Sequence, residues 1–477
     1  MGPELGDGAP ARAAQLAIEY LQRMPALPVR EEASLEDLRA AIRVPLNDTP
    51  LDANVVVDEL VEAVEPGLVQ SQSPRYFGFV IGGGLDAAIA ADWLTSAWDQ
   101  NAGGYPCGPS AAVVEEAVGE WLLDLLGLPE NAGVGLTTGC QMAHFSCLAA
   151  ARNHTLGETG WDVESDGLFG APPLRVIAGA HAHTTVFAAL RMLGLGSNRT
   201  EIVEADDQGR MLPGALARTL RDGEGPAIVI AQAGDVNTGA IDPLAQIAEI
   251  VHDHGAWLHV DGAFGLWAAA SPRLRPLVKG VENAHSWATD AHKWLNVPYD
   301  CGVAIVRDPG AQRAALSSIA GAAYIPPAEH GERYNAEWVP EFSRRARGFP
   351  VYAAIRSLGR HGVAELVERC CGCARLMAAT LAALDGVEIL NEVTLNQVLV
   401  RFTRDGVNVS DEVLRAIQDE GTCWMSGSIW DGEPVVRVSV SNWRTTDDDI
   451  RRSAEAIESC LRQPLARLAE STSTSDS

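Results

Sequence analysis

Between about residues 134 and 308 the chain alternates short β-rich runs with segments of helical length, and this rhythm leaves little choice of fold. The runs are 134–138, 174–180, 200–204, 227–231, 257–260, 286–289 and 302–306. Strands separated by helix-length connections, such as 243–254 ahead of 257–260, require right-handed crossovers and a mainly parallel sheet covered on both faces. The expected core is therefore α/β with seven strands.

A chain of 477 residues is too long for one core, because single cores stop growing near roughly 250–300 residues. Residues 1–72 mix helical patterns with Pro25, Pro28, Pro45, Pro50 and Pro66, which suits a wrapping arm better than an independent domain. The large α/β domain is expected over 73–342 and a smaller α+β domain over 343–470. In the latter an amphipathic helical stretch runs to about 384, then strands at 397–402 and 435–440 flank a helix at 411–420. The tail 471–477 holds only Ser, Thr and Asp and is expected to be disordered.

The formal charge of −27 repels nucleic acid and anionic membranes, so neither is an expected partner. No stretch approaches the roughly 20 apolar residues of a membrane span. The opening Met1-Gly2-Pro3-Glu4 lacks the basic, then apolar, pattern of a secretory signal. Nine cysteines at irregular spacing, including Cys370 and Cys371 side by side, read as reduced thiols, which points to the cytoplasm.

Four segments carry chemistry, each at a strand-to-helix junction. Thr289-Asp290-Ala291-His292-Lys293-Trp294 places a lysine just past a buried run. A lone lysine after a strand is usually a surface residue. A buried one needs a partner or serves as a nucleophile that forms Schiff bases with carbonyl cofactors. Asp261 ends the apolar run 257–260 and is followed by Gly262 and Ala263; a carboxylate there can keep a pyridine nitrogen protonated or simply cap a turn. Gly139, Cys140 and Gln141 open a helix whose N-terminal amides suit a phosphate. His181 and His183 sit where an imidazole can stack on a flat ring or cap a helix. Phosphate cup, ring-stacking histidine, pyridinium carboxylate and Schiff-base lysine, in that chain order, are far more specific together than singly.

In these segments the chain resembles the group II decarboxylases that use pyridoxal 5′-phosphate (PLP), the family of aromatic L-amino-acid, glutamate and histidine decarboxylases. The likeness runs from Ser73-Pro74-Arg75-Tyr76-Phe77-Gly78 to Arg437-Val438-Ser439, about three quarters of the chain, and its most specific marker is His292-Lys293-Trp294 followed by Asp300-Cys301. It implies the aspartate-aminotransferase-like fold (fold type I), a PLP cofactor and decarboxylation of an L-amino acid to its amine. It also implies that Lys293 carries the cofactor, that His292 and Asp290 lie near the phosphate, that Asp261 meets the ring nitrogen and that Ala263 lies under the ring. His183, within Ala182-His183-Thr184-Thr185, is the implied stacker. Cys140 and Gln141 stand where small hydroxyl or glycine residues are usual, so their backbone amides are the expected ligands. Asp235 replaces a threonine. In the segment before Ser343-Arg344-Arg345-Ala346-Arg347, which resembles a mobile active-site loop, Asn335 falls where a proton-donating tyrosine is common and Tyr334 is one residue away. Tyr334 is the expected donor; without one, the alternative is oxidative deamination to an aldehyde, or an aminotransferase on the same fold.

The stretch Tyr76 to Ile81 resembles the family's pocket lining and brings Phe79 and Val80, with Trp98 and Tyr105 reaching across a dimer interface; an aromatic or apolar substrate is expected. The same likeness implies a homodimer with shared active sites. A zinc site on His252, His254 and His259 is disfavoured because i and i+2 do not share a helix face, and no metal is expected.

Overall fold

The computed structural model describes residues 7–317 and 331–463. All seven expected strands form: Gly133–Thr137 (β1), Arg175–Gly179 (β2), Thr200–Val203 (β3), Ala227–Gln232 (β4), Trp257–Asp261 (β5), Ser286–Asp290 (β6) and Gly302–Val306 (β7). They build one sheet in the order β1-β7-β6-β5-β4-β2-β3. The pairs β2–β3, β2–β4, β4–β5 and β5–β6 are parallel, and β7 is antiparallel to both β1 and β6.

Alternation along β4 shows why the sheet is buried on both sides, since successive side chains point to opposite faces. Ile228 and Ile230 join one core cluster with Cys147 and Leu148 of the helix Cys140–Gly157. Val229 and Ala231 join the other with Ile247 and Val251 of the helix Leu244–Asp253.

A second, antiparallel sheet follows: Val387–Ile389 (β8), Gln397–Arg404 (β9), Val407–Asn408 (β10), Ser426–Trp430 (β11) and Glu433–Ser439 (β12). The helix Ser410–Glu420 lies between β10 and β11 in the chain, as expected, whereas β8, β10 and β11 were not anticipated. The helical stretch before β8 is Gly348–Leu381, broken at Gly359, whose φ of 62° and ψ of 177° no helix residue adopts.

At the other end, the helices Ala9–Arg23, Leu35–Ile42 and Ala53–Val64 contain no buried residue. The arm is moored instead through its connecting segments: the Val29 amide donates to the Gly421 carbonyl at 2.7 Å and Arg75 donates to the Pro25 carbonyl at 3.1 Å. The expected tail 471–477 lies outside the described residues.

Candidate active site

β1, β2, β5 and β6 point the same way, so their carboxyl ends share one edge of the sheet, where α/β sheets bind ligands. Gly139, His183, Asp261 and Asp290 all emerge there, and Lys293 follows three residues after Asp290.

Lys293 is tied to Asp290, Nζ to Oδ2 at 3.1 Å, with the lysine side chain one-fifth exposed and the aspartate buried. Burial works against the ammonium, but the charges of Asp290 and Asp261 outweigh it and hold the lysine pKa above its ordinary value. His292 Nε2 approaches the other oxygen, Asp290 Oδ1, at 3.5 Å. Its Nδ1 accepts the Cys301 amide at 3.1 Å, so a neutral His292 carries its proton on Nε2, toward Asp290.

The phosphate-type turn packs on this group. A Cβ on Gly139 would lie 3.3 Å from His292 Cε1, and a Cβ on Gly302 would lie 2.3 Å from the Gly139 carbonyl carbon, so only glycine at 302 lets β7 pass the turn. The helix Cys140–Gly157 starts at Gly139 without a side-chain cap, leaving the first amides, those of Cys140 and Gln141, to an outside acceptor. The Cys140 thiol is buried, and burial with the nearby Asp290 and Asp261 charges pushes its pKa far up, so it stays protonated.

Asp261 is 4% exposed and accepts the Ala263 amide at 3.1 Å. Burial alone would raise its pKa, yet the facing His144, at 3.5 Å, and the Ala263 amide hold it well below the usual carboxylate range. His183 caps the helix Thr184–Met192 by accepting the Thr185 amide on Nδ1 at 3.3 Å. Burial, with the Lys293 and Arg437 charges, lowers its pKa, so it presents a neutral ring. His181 turns away and packs on Trp430 of β11, ring centroids 4.7 Å apart.

The remaining candidates are dispersed in this single chain. Phe79 and Val80 have φ of 52° and 59°, a left-handed backbone that is strained for Phe and more so for β-branched Val. Phe79 lies exposed beside Trp424, and Val80 is buried. Gly82, in the same segment, packs directly on the Lys293 carbonyl. Trp98 is half exposed and edge-on to Phe349, and Tyr105 begins the turn Tyr105–Cys107. Tyr334 is buried against Gly104. Residues 318–330, the front part of the expected loop, lie outside the described residues.

Sequence reasoning missed several groups. Tyr299 packs on His292 with its ring tilted by 32° and centroids 4.4 Å apart, and feels the charges of Lys293 and Asp290. Arg437 on β12 is buried with Nε lacking a hydrogen-bond partner, and the Asp235 carboxylate, whose Oδ2 also lacks one, acts on it electrostatically. His144 and His259, joined Nδ1 to Nε2 at 2.9 Å, lie behind Asp261. The available signal was position: His259 stands two residues before Asp261 on β5 and therefore faces the same side. The three histidines weighed for zinc separate, His252 packing on His285 and His254 bonding Ile250, while His259 meets His144. A different trio, Cys140, His144 and Asp261, sets three ligand-type atoms within 4.8 Å of one another.

Comparison with known proteins bears on the family and the fold. The family described as "Pyridoxal-dependent decarboxylase conserved domain" matches residues 36–403. An aromatic-L-amino-acid decarboxylase of Bacillus atrophaeus is 25% identical over 453 residues, covering 92% of each chain. An L-2,4-diaminobutyrate decarboxylase of Rhizobium meliloti (strain 1021) is 30% identical over 391 residues, 79% of this chain and 75% of the relative. Among solved structures, Oryza sativa TDC with PLP and tryptamine superposes with a TM-score of 0.88 at 22% identity, over 97% of this chain and 99% of that one, a likeness of fold. With more than half of its length matched by that family and strand ends carrying a lysine, two aspartates and an open helix N-terminus, the chain belongs to the pyridoxal-dependent decarboxylases.

Proposed function

We propose that this PLP-dependent carboxy-lyase carries its cofactor on Lys293 and acts on an L-amino acid with an aromatic or apolar side chain. The observation that carries the assignment of the lysine is its 3.1 Å pairing with Asp290 on the sheet edge shared with Asp261 and the open amides of Cys140 and Gln141.

The residues fit the cofactor. The amides of Cys140 and Gln141, opening the turn at Gly139, would hold its phosphate, with His292 alongside; Asp261 would meet the ring nitrogen, His183 and Ala263 the two ring faces, and Lys293 the aldehyde. When bound, PLP supplies a protonated ring that takes up the electron pair freed as CO₂ leaves. Asp261 sustains that protonation because it stays ionised although buried. His183 adds a flat neutral face and no competing charge. Asp290 holds the Lys293 proton until the amine is needed. Arg437, a buried cation with an unused donor, offers a counter-charge to the anionic end of an amino acid.

For the proton returned to Cα, Tyr334 is the candidate from sequence and Tyr299 the phenol already beside Lys293. If neither reaches Cα, the rival outcome is oxidative, in which amino acid, O₂ and H₂O yield aldehyde, CO₂, NH₃ and H₂O₂. The apolar preference is supported by the exposed Phe79 ring and by Trp98. We further infer a homodimer, supported by three arm helices with no buried residue and by the exposed Leu60, Trp93, Leu94 and Trp98. All nine cysteines are free and eight are buried, which supports a reducing, cytoplasmic location. Among the described residues no helix is long and apolar enough to cross a membrane.

Borohydride reduction of the loaded enzyme followed by peptide mass mapping tests the lysine: the cofactor mass is expected on Lys293 and is absent from Lys293→Ala. A K293A protein that stays yellow and active overturns the assignment. Incubation with a panel of amino acids, reading CO₂, amine, aldehyde and peroxide, tests the reaction. Amine and CO₂ without peroxide are expected, and repeating the assay with Tyr299→Phe and Tyr334→Phe identifies the donor as the residue whose loss diverts product to aldehyde.

A further inference from the structure

Behind Asp261 a line of polar side chains runs through the core, with the Cys140 thiol beside its near end, 3.4 Å from His144 Nε2. His144 Nε2 is 3.5 Å from Asp261 Oδ2, His144 Nδ1 is 2.9 Å from His259 Nε2, and His259 Nδ1 is 2.9 Å from Ser286 Oγ. Trp257 Nε1 donates to the same Ser286 oxygen at 2.9 Å. His144, His259 and Ser286 are fully buried and Trp257 is 4% exposed. The alignment follows from strand geometry: Trp257, His259 and Asp261 alternate onto one face of β5, and Ser286 pairs with His259 across β5 and β6. His144 comes from the helix Cys140–Gly157, one turn past its open N-terminus.

Donor accounting fixes where the protons lie. Indole N–H can only donate, so Trp257 occupies one lone pair of Ser286 and leaves its hydroxyl proton free to point at His259 Nδ1. His259 then carries its proton on Nε2 and gives it to His144 Nδ1, which puts the proton of a neutral His144 on Nε2, facing Asp261. The reverse direction leaves the Ser286 hydroxyl without an acceptor and, for a neutral His144, turns the Nε2 lone pair to the buried carboxylate, with only the Cys140 thiol, 3.4 Å away, to donate to it. A second proton on His144, again on Nε2, would restore an N–H facing Asp261. The direction that satisfies the Ser286 hydroxyl therefore points an N–H of His144 at Asp261.

We propose that His144 is a positioning residue that gives its Nε2–H to Asp261, keeping this carboxylate anionic and aimed at the cofactor's ring nitrogen, with His259, Ser286 and Trp257 setting the direction of the line. The proposal rests on Asp261 being the partner of that nitrogen. Two electrostatic features agree with it. Burial and the adjacent His144 drive His259 down to about 3, so it remains a neutral relay, and Asp261 stays ionised in the core.

The test is the ¹⁵N shift of ring-labelled PLP bound to the parent, His144→Leu, His144→Gln and Ser286→Ala proteins, with cofactor affinity measured by fluorescence on the same samples. In the parent a pyridinium shift is expected; a neutral-pyridine shift there overturns the Asp261 assignment itself. In H144L the shift is expected to move toward neutral pyridine, with affinity about 10- to 100-fold weaker, the range for losing a hydrogen bond to a charged group. H144Q, which keeps an N–H donor, is expected to recover part of both. S286A changes one buried atom and is expected to fold normally while moving the shift in the same direction by less. A parent-like shift in H144L overturns the proposal, and a parent-like shift in S286A overturns the relay beyond His144.

Discussion

The Lys293 ammonium lies 3.1 Å from Asp290 Oδ2, while the second oxygen of that buried carboxylate has no hydrogen-bond partner and stands 3.5 Å from His292 Nε2. A lysine held this way is charged, and a charged amine cannot attack an aldehyde.

Capture of PLP by the cofactor-free protein should therefore accelerate as pH rises. The Lys293 pKa is raised by Asp290, so the reactive amine is scarce at neutral pH and grows on the alkaline side. Asp290→Asn removes the largest charge that raises it, leaving burial to lower it against Asp261; the variant should capture PLP faster at neutral pH and with a flatter pH profile. Stopped-flow absorbance of the two cofactor-free proteins across pH checks this, and a steeper profile in D290N contradicts it.

The arginine segment after the expected loop makes a stability prediction. Arg344 is bidentate to Glu115, at 2.7 and 3.1 Å, with both side chains almost wholly buried, and it also donates to the Ala102 and Leu136 carbonyls. Removing one member strands the other charge in the core, which costs about 3–5 kcal/mol. Glu115→Ala should lose that much in chemical denaturation. Arg345→Ala, whose partner Asp92 is partly exposed, should lose roughly 1 kcal/mol or less.

Those arginines were legible as a landmark, but the partner of Arg344 was not, because Glu115 is 229 residues away. The same limit runs through the whole chain. Apart from the edge strand β3, the strands of the large sheet are buried on both faces and read largely as apolar runs, so local composition sufficed. β11 begins Ser426-Gly427-Ser428 and is partly exposed, so neither alternation nor β-branching marks it. Asp261 and Asp290 could be placed at strand ends because the strands could. His144 could not be joined to His259 across 115 residues, since no local pattern encodes a contact between a helix and the strand beneath it.

The arm offers a test of assembly. Leu60 on the helix Ala53–Val64 is 60% exposed in the single chain, and no residue of that helix is buried. In a homodimer joined through the arm, Leu60→Glu would bury a charge against apolar surface, so sedimentation should show monomers where the parent is dimeric, with decarboxylation lost in parallel. A dimeric, active L60E protein would place the interface elsewhere.

Gly302 provides a lesion in cofactor holding that spares every side chain of the site. It lies on β7 beneath the turn at Gly139, and an added Cβ would sit 2.3 Å from the Gly139 carbonyl carbon and 2.6 Å from its Cα, both backbone atoms that can yield only by moving the turn. That turn opens the helix whose first amides face the sheet edge, so Gly302→Ala should tilt the phosphate cup while leaving Lys293 and Asp261 in place. Overpacking of this kind costs about 1–3 kcal/mol, which as lost affinity for PLP is roughly 5- to 150-fold. The loss should extend to inorganic phosphate competing for the same cup, whereas the ring-nitrogen shift of whatever PLP remains bound should match the parent. A variant with unchanged PLP affinity would show that the phosphate is held away from the Gly139 turn.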